Sequence, residues 1–127
     1  MTDLTNVDSA PFWSSWAEGR LTVQRCASCG ATCFFPRAGC PTCGALTLSW
    51  IDCSGQATVY SYTVVHRKVV EGVEPPYILA LVDLAEGPRM MTNLIHCTPE
   101  EMRIGMPVVA VPDRDAGDTR RVLFRPA

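Results

Sequence analysis

The sequence of 127 residues predicts a mainly β protein, in which a short N-terminal helix precedes a cysteine-rich module and a five-stranded barrel. Three observations predict this order: an aromatic segment at helical spacing, two Cys-x-x-Cys pairs, and five β-branched or alternating segments after them. The composition, 47% hydrophobic and 19% charged, is that of an ordinary globular chain. We therefore expect a tail and helix over residues 1–20, the cysteine module over 21–53 and the barrel over 54–127.

The N-terminal helix is predicted from a start signal and a stop. Ser9-Ala10-Pro11 combines a capping serine with a proline in the first turn, and Gly19 ends the segment. Three aromatic residues lie between them: Phe12, Trp13 and Trp16. About ten residues are too few for a stable isolated helix. The aromatic side chains must therefore dock, either on the chain's own domain or on a partner protein, and they are the candidate partner-binding residues.

The cysteine-rich module is predicted to hold a metal ion. The odd total of seven cysteines, in a chain without an N-terminal export signal, argues against a disulfide framework. Cys26-x-x-Cys29 and Cys40-x-x-Cys43 each allow two thiolates of one tight loop to face the same tetrahedral ion. The pattern predicts structural Zn²⁺ bound by all four thiolates. Iron on the same ligands and a redox dithiol are the alternatives.

Short strand-like segments flank the two pairs: Leu21–Arg25, Thr32–Phe35 and Leu46–Ile51. Two hairpins joined by a metal form a rubredoxin-like zinc ribbon, which has too few apolar residues to fold without the metal. The other thiols are predicted to be spare or packed side chains: Cys33, Cys53 and Cys97.

Five further segments predict the strands of a small barrel: Ala57–Val65, Tyr77–Leu84, Arg89–Ile95, Pro107–Val111 and Arg120–Phe124. Thr98-Pro99-Glu100-Glu101 begins a short helical turn between the third and fourth strands, and the Asp113–Asp118 segment is a turn. This is the strand plan of an OB-fold. Alternation in the first strand places Tyr60, Tyr62 and Val64 on one face, opposite Val59, Ser61, Thr63 and Val65.

A series of short motifs resembles one known family. The motifs are Phe12-Trp13, Leu21 to Cys29-Gly30, Cys40-Pro41-Thr42-Cys43-Gly44, Val59 to Val65, Pro76-Tyr77, Val82-Asp83-Leu84, Glu86-Gly87 and Ile104 to Val108. In this order, over about residues 11–126, the sequence resembles the acyl-CoA-associated zinc-ribbon and OB-fold proteins called domain of unknown function 35.

The resemblance implies a non-catalytic subunit that binds a thiolase-fold aldolase or thiolase in steroid or lipid side-chain metabolism. It also implies a bridge to a hotdog-fold acyl-CoA hydratase, so that the partner enzymes bind acyl-CoA and this protein is linked to it only through them. The four cysteines of the two pairs match the family's metal ligands, and no catalytic residue carries over.

Two other functions remain open from the residues. Tyr60 and Tyr62 would stack bases in a single-stranded nucleic-acid-binding OB-fold. The phosphates of a directly bound acyl-CoA would need basic side chains, for which the candidates are Arg67, Lys68 and Arg89. A net charge of −2 and a pI of about 5.6 argue against duplex nucleic acid.

Neither catalysis nor a membrane is predicted. The two histidines, His66 and His96, have no carboxylate placed by the sequence to form a dyad. No apolar run approaches the ~18 residues of a membrane span, the longest being Ile78–Val82. The segment Met1–Ser9 lacks a secretory signal. We therefore expect a cytoplasmic protein without independent enzymatic activity.

Overall fold

A helix, a three-stranded sheet and a closed barrel make up the chain in a computed structural model, which describes residues 7–68, 74–111 and 122–127. Helix α1 is Ala10–Ala17 and begins directly after Ser9, whose carbonyl accepts the N–H of Trp13. It ends before Gly19, which takes a φ of +90° that only glycine adopts readily. The helix therefore begins and ends where it was predicted to, although the Ser9 side chain makes no capping hydrogen bond.

The sheet has the strand order β2-β1-β3, with both neighbours antiparallel to the central strand. Its strands are β1 Thr22–Cys26, β2 Thr32–Cys33 and β3 Leu48–Asp52. Strand β2 is shorter than predicted because the chain leaves the sheet at Phe34. The loop that follows is fixed by Gln24 of the central strand β1, whose side-chain amide hydrogen-bonds the backbone of Arg37.

The barrel closes in the order β4-β5-β6-β8-β7, and β7 pairs again with β4. Its strands are β4 Gln56–Val65, β5 Tyr77–Leu84, β6 Arg89–Leu94, β7 Pro107–Ala110 and β8 Leu123–Pro126. A 3₁₀ turn, Pro99–Glu101, lies between β6 and β7, and Thr98 and Glu101 form the predicted capping box. The prediction of a mainly β protein with an OB-fold barrel is confirmed.

In the described residues the last barrel strand is Leu123–Pro126, which covers the end of the segment predicted as Arg120–Phe124. Arg120 and the predicted Asp113–Asp118 turn lie outside the described residues.

A β-bulge changes the two faces of β4. The register with β5 shifts between Val59 and Ser61, so two consecutive residues point outward there. After the bulge, Tyr62 packs against the core, on the same side as Val59. The prediction that Tyr60 and Tyr62 lie on one face is wrong, because the extra residue of the bulge interrupts the strict alternation of side chains.

One apolar core joins the helix, the sheet and the barrel. It contains Phe12 and Trp16 of α1 and Val23 of β1, together with residues from all five barrel strands. Glu86 of the barrel also makes a polar contact with the ribbon, because its carbonyl accepts the Thr32 hydroxyl (3.1 Å). Its carboxylate accepts the N–H of Ser54, at the start of the barrel (3.0 Å). The ribbon and the barrel are therefore packed as one unit.

Candidate metal centre and partner surface

Four cysteine sulfurs converge where β1 ends. Their Sγ atoms all lie within 4.8 Å of one another. The distance from Cys26 to Cys43 and that from Cys29 to Cys40 are both 3.6 Å. Zn–S bonds of about 2.3 Å at tetrahedral angles place sulfurs about 3.8 Å apart. The predicted ligands are thus positioned to bind one zinc ion, with all four coordination positions supplied by the protein.

Two tight loops of similar geometry present these sulfurs. The Gly30 N–H donates to the Cys26 carbonyl (2.8 Å), and the Gly44 N–H donates to the Cys40 carbonyl (2.9 Å). Both glycines have positive φ, +77° and +78°. A side chain at either position would strain the backbone, which explains why a glycine follows each Cys-x-x-Cys pair.

Hydrogen bonds prepare two of the sulfurs to act as thiolates. The Thr47 hydroxyl, followed by the N–H groups of Cys29 and Ser28, lowers the pKa of the Cys26 thiol to about 6. The N–H of Cys43, and then that of Thr42, lowers the pKa of Cys40. Both residues are therefore suited to binding metal at neutral pH, since the thiolate is the ligand form.

The pKa values of the other two thiols are raised by burial and by the neighbouring sulfurs. The Ala45 N–H lowers the pKa of Cys43, but the adjacent Cys26 sulfur and burial outweigh it and raise the pKa to about 11. The pKa of Cys29 is raised in the same way, against the N–H of Ala31. Closely spaced thiolates repel one another, and a divalent ion at their centre offsets this repulsion. The donor set therefore fits Zn²⁺.

The remaining thiols lie apart from this site. Cys33 is buried, with its sulfur 3.7 Å from the Gln24 amide oxygen. Burial, followed by the charge of Glu86, raises the pKa of Cys53 to about 12. Burial also raises the pKa of Cys97. Burial raises the pKa of Cys33 as well, so none of the three has the lowered pKa of a nucleophilic thiol.

The aromatic side chains of α1 divide between core and surface. Phe12 is 1% exposed and Trp16 is 3% exposed. The helix therefore docks on its own chain, and the prediction that these two residues bind a partner is corrected, because they have almost no surface left to offer. Trp13 is partly buried, with its ring in edge contact with Phe12 at 4.9 Å. Its role in partner binding stays a prediction.

The basic residues considered for acyl-CoA do not come together. Arg67 and Lys68 follow the end of β4 that pairs with Tyr77, whereas Arg89 pairs with Asp83 near the other end of β5. From Tyr77 to Asp83 a strand extends about 20 Å. The two groups therefore cannot contact the same phosphate.

Arg89 is also occupied by other contacts. Its Nε lies 2.7 Å from Asp83 Oδ1, and its guanidinium carbon lies 3.4 Å from the centroid of the Tyr60 ring. Tyr62 instead packs inward, and its hydroxyl donates to the Met102 carbonyl (3.4 Å). One tyrosine is covered by a cation and the other faces the core, so the two do not form a base-stacking surface.

Single-stranded nucleic acid is therefore expected to bind weakly and to be released in moderate salt. A chain of net charge −2 attracts phosphates weakly, Tyr60 and Tyr62 do not form a stacking surface, and salt screens exposed basic contacts. Fluorescence anisotropy of a labelled oligonucleotide, at low and at physiological salt, measures this, with Tyr60→Ala as the matched variant. Tight binding at physiological salt that Tyr60→Ala abolishes would contradict this prediction.

The structural roles of two polar residues could not be predicted from the sequence. Gln24 stands in an alternating strand and holds the loop before the second cysteine pair, and Glu86 joins the ribbon to the barrel. Polar residues in a strand or a turn are usually solvent-facing. Only the tertiary structure shows that Gln24 is buried and that Glu86 contacts Thr32 of the ribbon.

No helix in the described part of the chain is long and apolar enough to cross a membrane. The cytoplasmic location stays a prediction.

The fold and the cysteine site define a class of protein, a rubredoxin-like zinc ribbon joined directly to an OB-fold barrel. Two family models match in this order: the ChsH2 rubredoxin-like zinc ribbon domain over residues 13–49 and the ChsH2 C-terminal OB-fold domain over residues 50–112. The chain belongs to this ChsH2-type family, which includes proteins called DUF35. The match confirms the resemblance and the structural zinc predicted from the sequence.

Three curated relatives show how such a chain is used elsewhere. A probable enoyl-CoA hydratase alpha subunit of Thermomonospora curvata is 40% identical, over 82% of this chain and 33% of that protein. A 3-oxo-4,17-pregnadiene-20-carboxyl-CoA hydratase alpha subunit of Mycobacterium tuberculosis is 35% identical, over 81% and 33%. A DUF35 domain-containing scaffold protein of Pyrococcus furiosus is 37% identical, over 79% and 74%. The chain spans one third of the hydratase subunits.

A solved structure matches the whole fold. In a structure described as the Ltp2-ChsH2(DUF35) aldolase, one chain is 35% identical to this chain, and the match covers 98% of both chains with a TM-score of 0.83. The similarity therefore extends through helix, ribbon and barrel together.

Proposed function

We propose that this protein is a non-catalytic subunit or domain that binds and stabilises an acyl-CoA aldolase of the thiolase fold, in steroid or lipid side-chain metabolism. The observation that carries the proposal is the match over 98% of both chains to the ChsH2-type chain of an aldolase. At 35% identity and a TM-score of 0.83, the similarity is more than a shared fold.

The chemistry of the described residues supports an accessory role. Cleavage of a carbon–carbon bond next to a thioester needs a base and donors for the developing enolate oxygen. The cysteine cluster is a closed site that offers no open position to a substrate. The thiols outside it have raised pKa values, which suits packing rather than reaction. In this proposal the partner supplies every catalytic group.

The curated relatives support an extension of the same role. In two of them the matching segment is one third of a hydratase alpha subunit, and another is called a scaffold protein. The proposed subunit thus holds the aldolase near an acyl-CoA hydratase, so that the product of one reaction is released beside the next enzyme.

Complex formation tests the proposal. The zinc-loaded chain is co-expressed with the Ltp2-type aldolase of its own host, and the mixture is analysed by size-exclusion chromatography with light scattering. We expect one species whose mass contains both proteins. Two separate peaks at micromolar concentration would reject the proposal.

A further inference from the structure

Two hydroxyl groups lie beside the most buried sulfur of the cysteine cluster. Cys26 is 1% exposed, and the Oγ1 atom of Thr47 lies 3.4 Å from its Sγ. The Oγ atom of Ser28 in turn lies 3.0 Å from Thr47 Oγ1. The two contacts form a series, Ser28–Thr47–Cys26, that leads from the surface of the ribbon to a metal ligand.

The contact with a hydroxyl distinguishes Cys26 from the other three ligands. Serine and threonine are common on protein surfaces, and both of these are exposed, so their presence alone indicates nothing. In the part of the chain that the structure describes, however, the sulfurs of Cys29, Cys40 and Cys43 meet only backbone N–H groups and one another's sulfurs. A hydroxyl donor is therefore a particular feature of the Cys26 position.

Backbone hydrogen bonding holds Thr47 in this place. Its carbonyl accepts the N–H of Ala27 (3.0 Å), which joins the residue before β3 to the residue after β1. The adjacent pair of the same ladder is Cys26 and Leu48. The position of the Thr47 side chain over the sulfur is thus fixed by the sheet.

The direction of both hydrogen bonds follows from the chemistry of a metal ligand. A cysteine that binds metal is a thiolate without a proton, so its sulfur can only accept a hydrogen bond. Thr47 has a single hydroxyl hydrogen and donates it to Cys26. Ser28 must then donate its own hydrogen to the Thr47 oxygen, and in such a series each donor polarises the next.

We propose that Ser28 and Thr47 form a hydroxyl relay that holds the Cys26 thiolate in position for zinc, with Thr47 as the positioning residue and Ser28 acting through it. The O–H group stabilises negative charge on the sulfur and fixes its orientation, as outer-shell partners of metal ligands do. Water cannot supply the same bond, because the Cys26 sulfur is buried. The relay concerns the metal site alone and does not depend on which partner the protein binds.

Competition for zinc with a chromogenic chelator at neutral pH tests the relay in the full chain. Thr47→Val removes the hydroxyl and keeps the β-branched shape, and we expect it to weaken zinc binding about tenfold or more. Thr47→Ser keeps the hydroxyl and should bind zinc within about threefold of wild type. Thr42→Val is the matched control, since it makes the same change in the second loop, where no hydroxyl contacts a sulfur.

The spectrum of the cobalt-loaded protein gives a second readout, which a general loss of stability would not move. Co²⁺ is a divalent ion that the same type of site binds, and its sulfur-to-metal charge-transfer band reports the energy of the sulfur lone pairs. Without the O–H bond these lone pairs rise in energy, so the band of Thr47→Val should shift to longer wavelength. Ser28→Ala should shift it less, and Ser28→Ala combined with Thr47→Val should match Thr47→Val alone, because Ser28 acts through Thr47.

Wild-type zinc affinity and an unshifted cobalt band in Thr47→Val would overturn the relay. Equal losses in Thr47→Val and Thr42→Val would overturn it as well, and so would a Thr47→Ser protein as weak as Thr47→Val. If Thr47→Val does not fold, Ser28→Ala decides through its cobalt band, since this substitution leaves every backbone bond in place. An unshifted band in Ser28→Ala would then contradict the proposal.

Discussion

Replacing Cys40 with serine is expected to abolish zinc binding and to unfold the ribbon. The four sulfurs form one closed site, so the loss of one thiolate removes a quarter of the ligands and the match to tetrahedral geometry. Structural zinc contributes an apparent binding free energy of about 10–16 kcal/mol in small zinc modules. Because the ribbon shares its core with the barrel, we expect the thermal midpoint of the whole chain to fall.

Elemental analysis of protein purified without added metal measures this effect. The wild type should contain close to one zinc per chain, and Cys40→Ser almost none. Cys53→Ser is the matched control, because Cys53 is outside the cluster, and it should keep one equivalent. One full equivalent in Cys40→Ser, with an unchanged midpoint, would show that the four-cysteine site is not the zinc site.

The second large effect is expected for Phe12→Ala, which should lower the free energy of unfolding by about 3–5 kcal/mol. Phe12 is 1% exposed and its ring contacts those of Trp13 and Phe34. Truncation would leave a cavity between helix α1 and the ribbon loop, where the surrounding rings cannot close without moving the helix.

Chemical denaturation of Phe12→Ala, with Phe35→Ala as the matched surface variant, measures this loss of stability. Both variants lose the same atoms, but Phe35 is half-exposed, so its truncation should cost far less stability. We expect the loss of stability for Phe12→Ala to be far larger than that for Phe35→Ala. A loss below about 1 kcal/mol for Phe12→Ala would contradict the docking of the helix on its own core.

The sequence predicts the order of the modules and the metal ligands because both depend on local patterns. Cys-x-x-Cys followed by glycine specifies a tight loop whatever surrounds it, as the positive φ of Gly30 and Gly44 shows. Most strands of the barrel are also found within one or two residues, since turns and alternation mark them.

Prediction from the sequence fails where a long-range contact determines which way a side chain points or whether it is buried. The bulge in β4 depends on its pairing with β5, and it moves Tyr62 from the predicted face to the core. Likewise, an aromatic helix has the same spacing whether it covers its own core or a partner. The burial of Phe12 and Trp16 decides that question, and the strand that lies between Arg67 and Arg89 separates residues that looked like one site.

The most direct test of the central claim is a titration of the host's Ltp2-type aldolase with this zinc-loaded protein, with acyl-CoA cleavage as the readout. We expect the protein alone to cleave nothing, and the rate of the aldolase to rise with added protein and to saturate at a fixed ratio of the two chains. An aldolase rate that is independent of added protein, or cleavage by the isolated chain, would contradict the account.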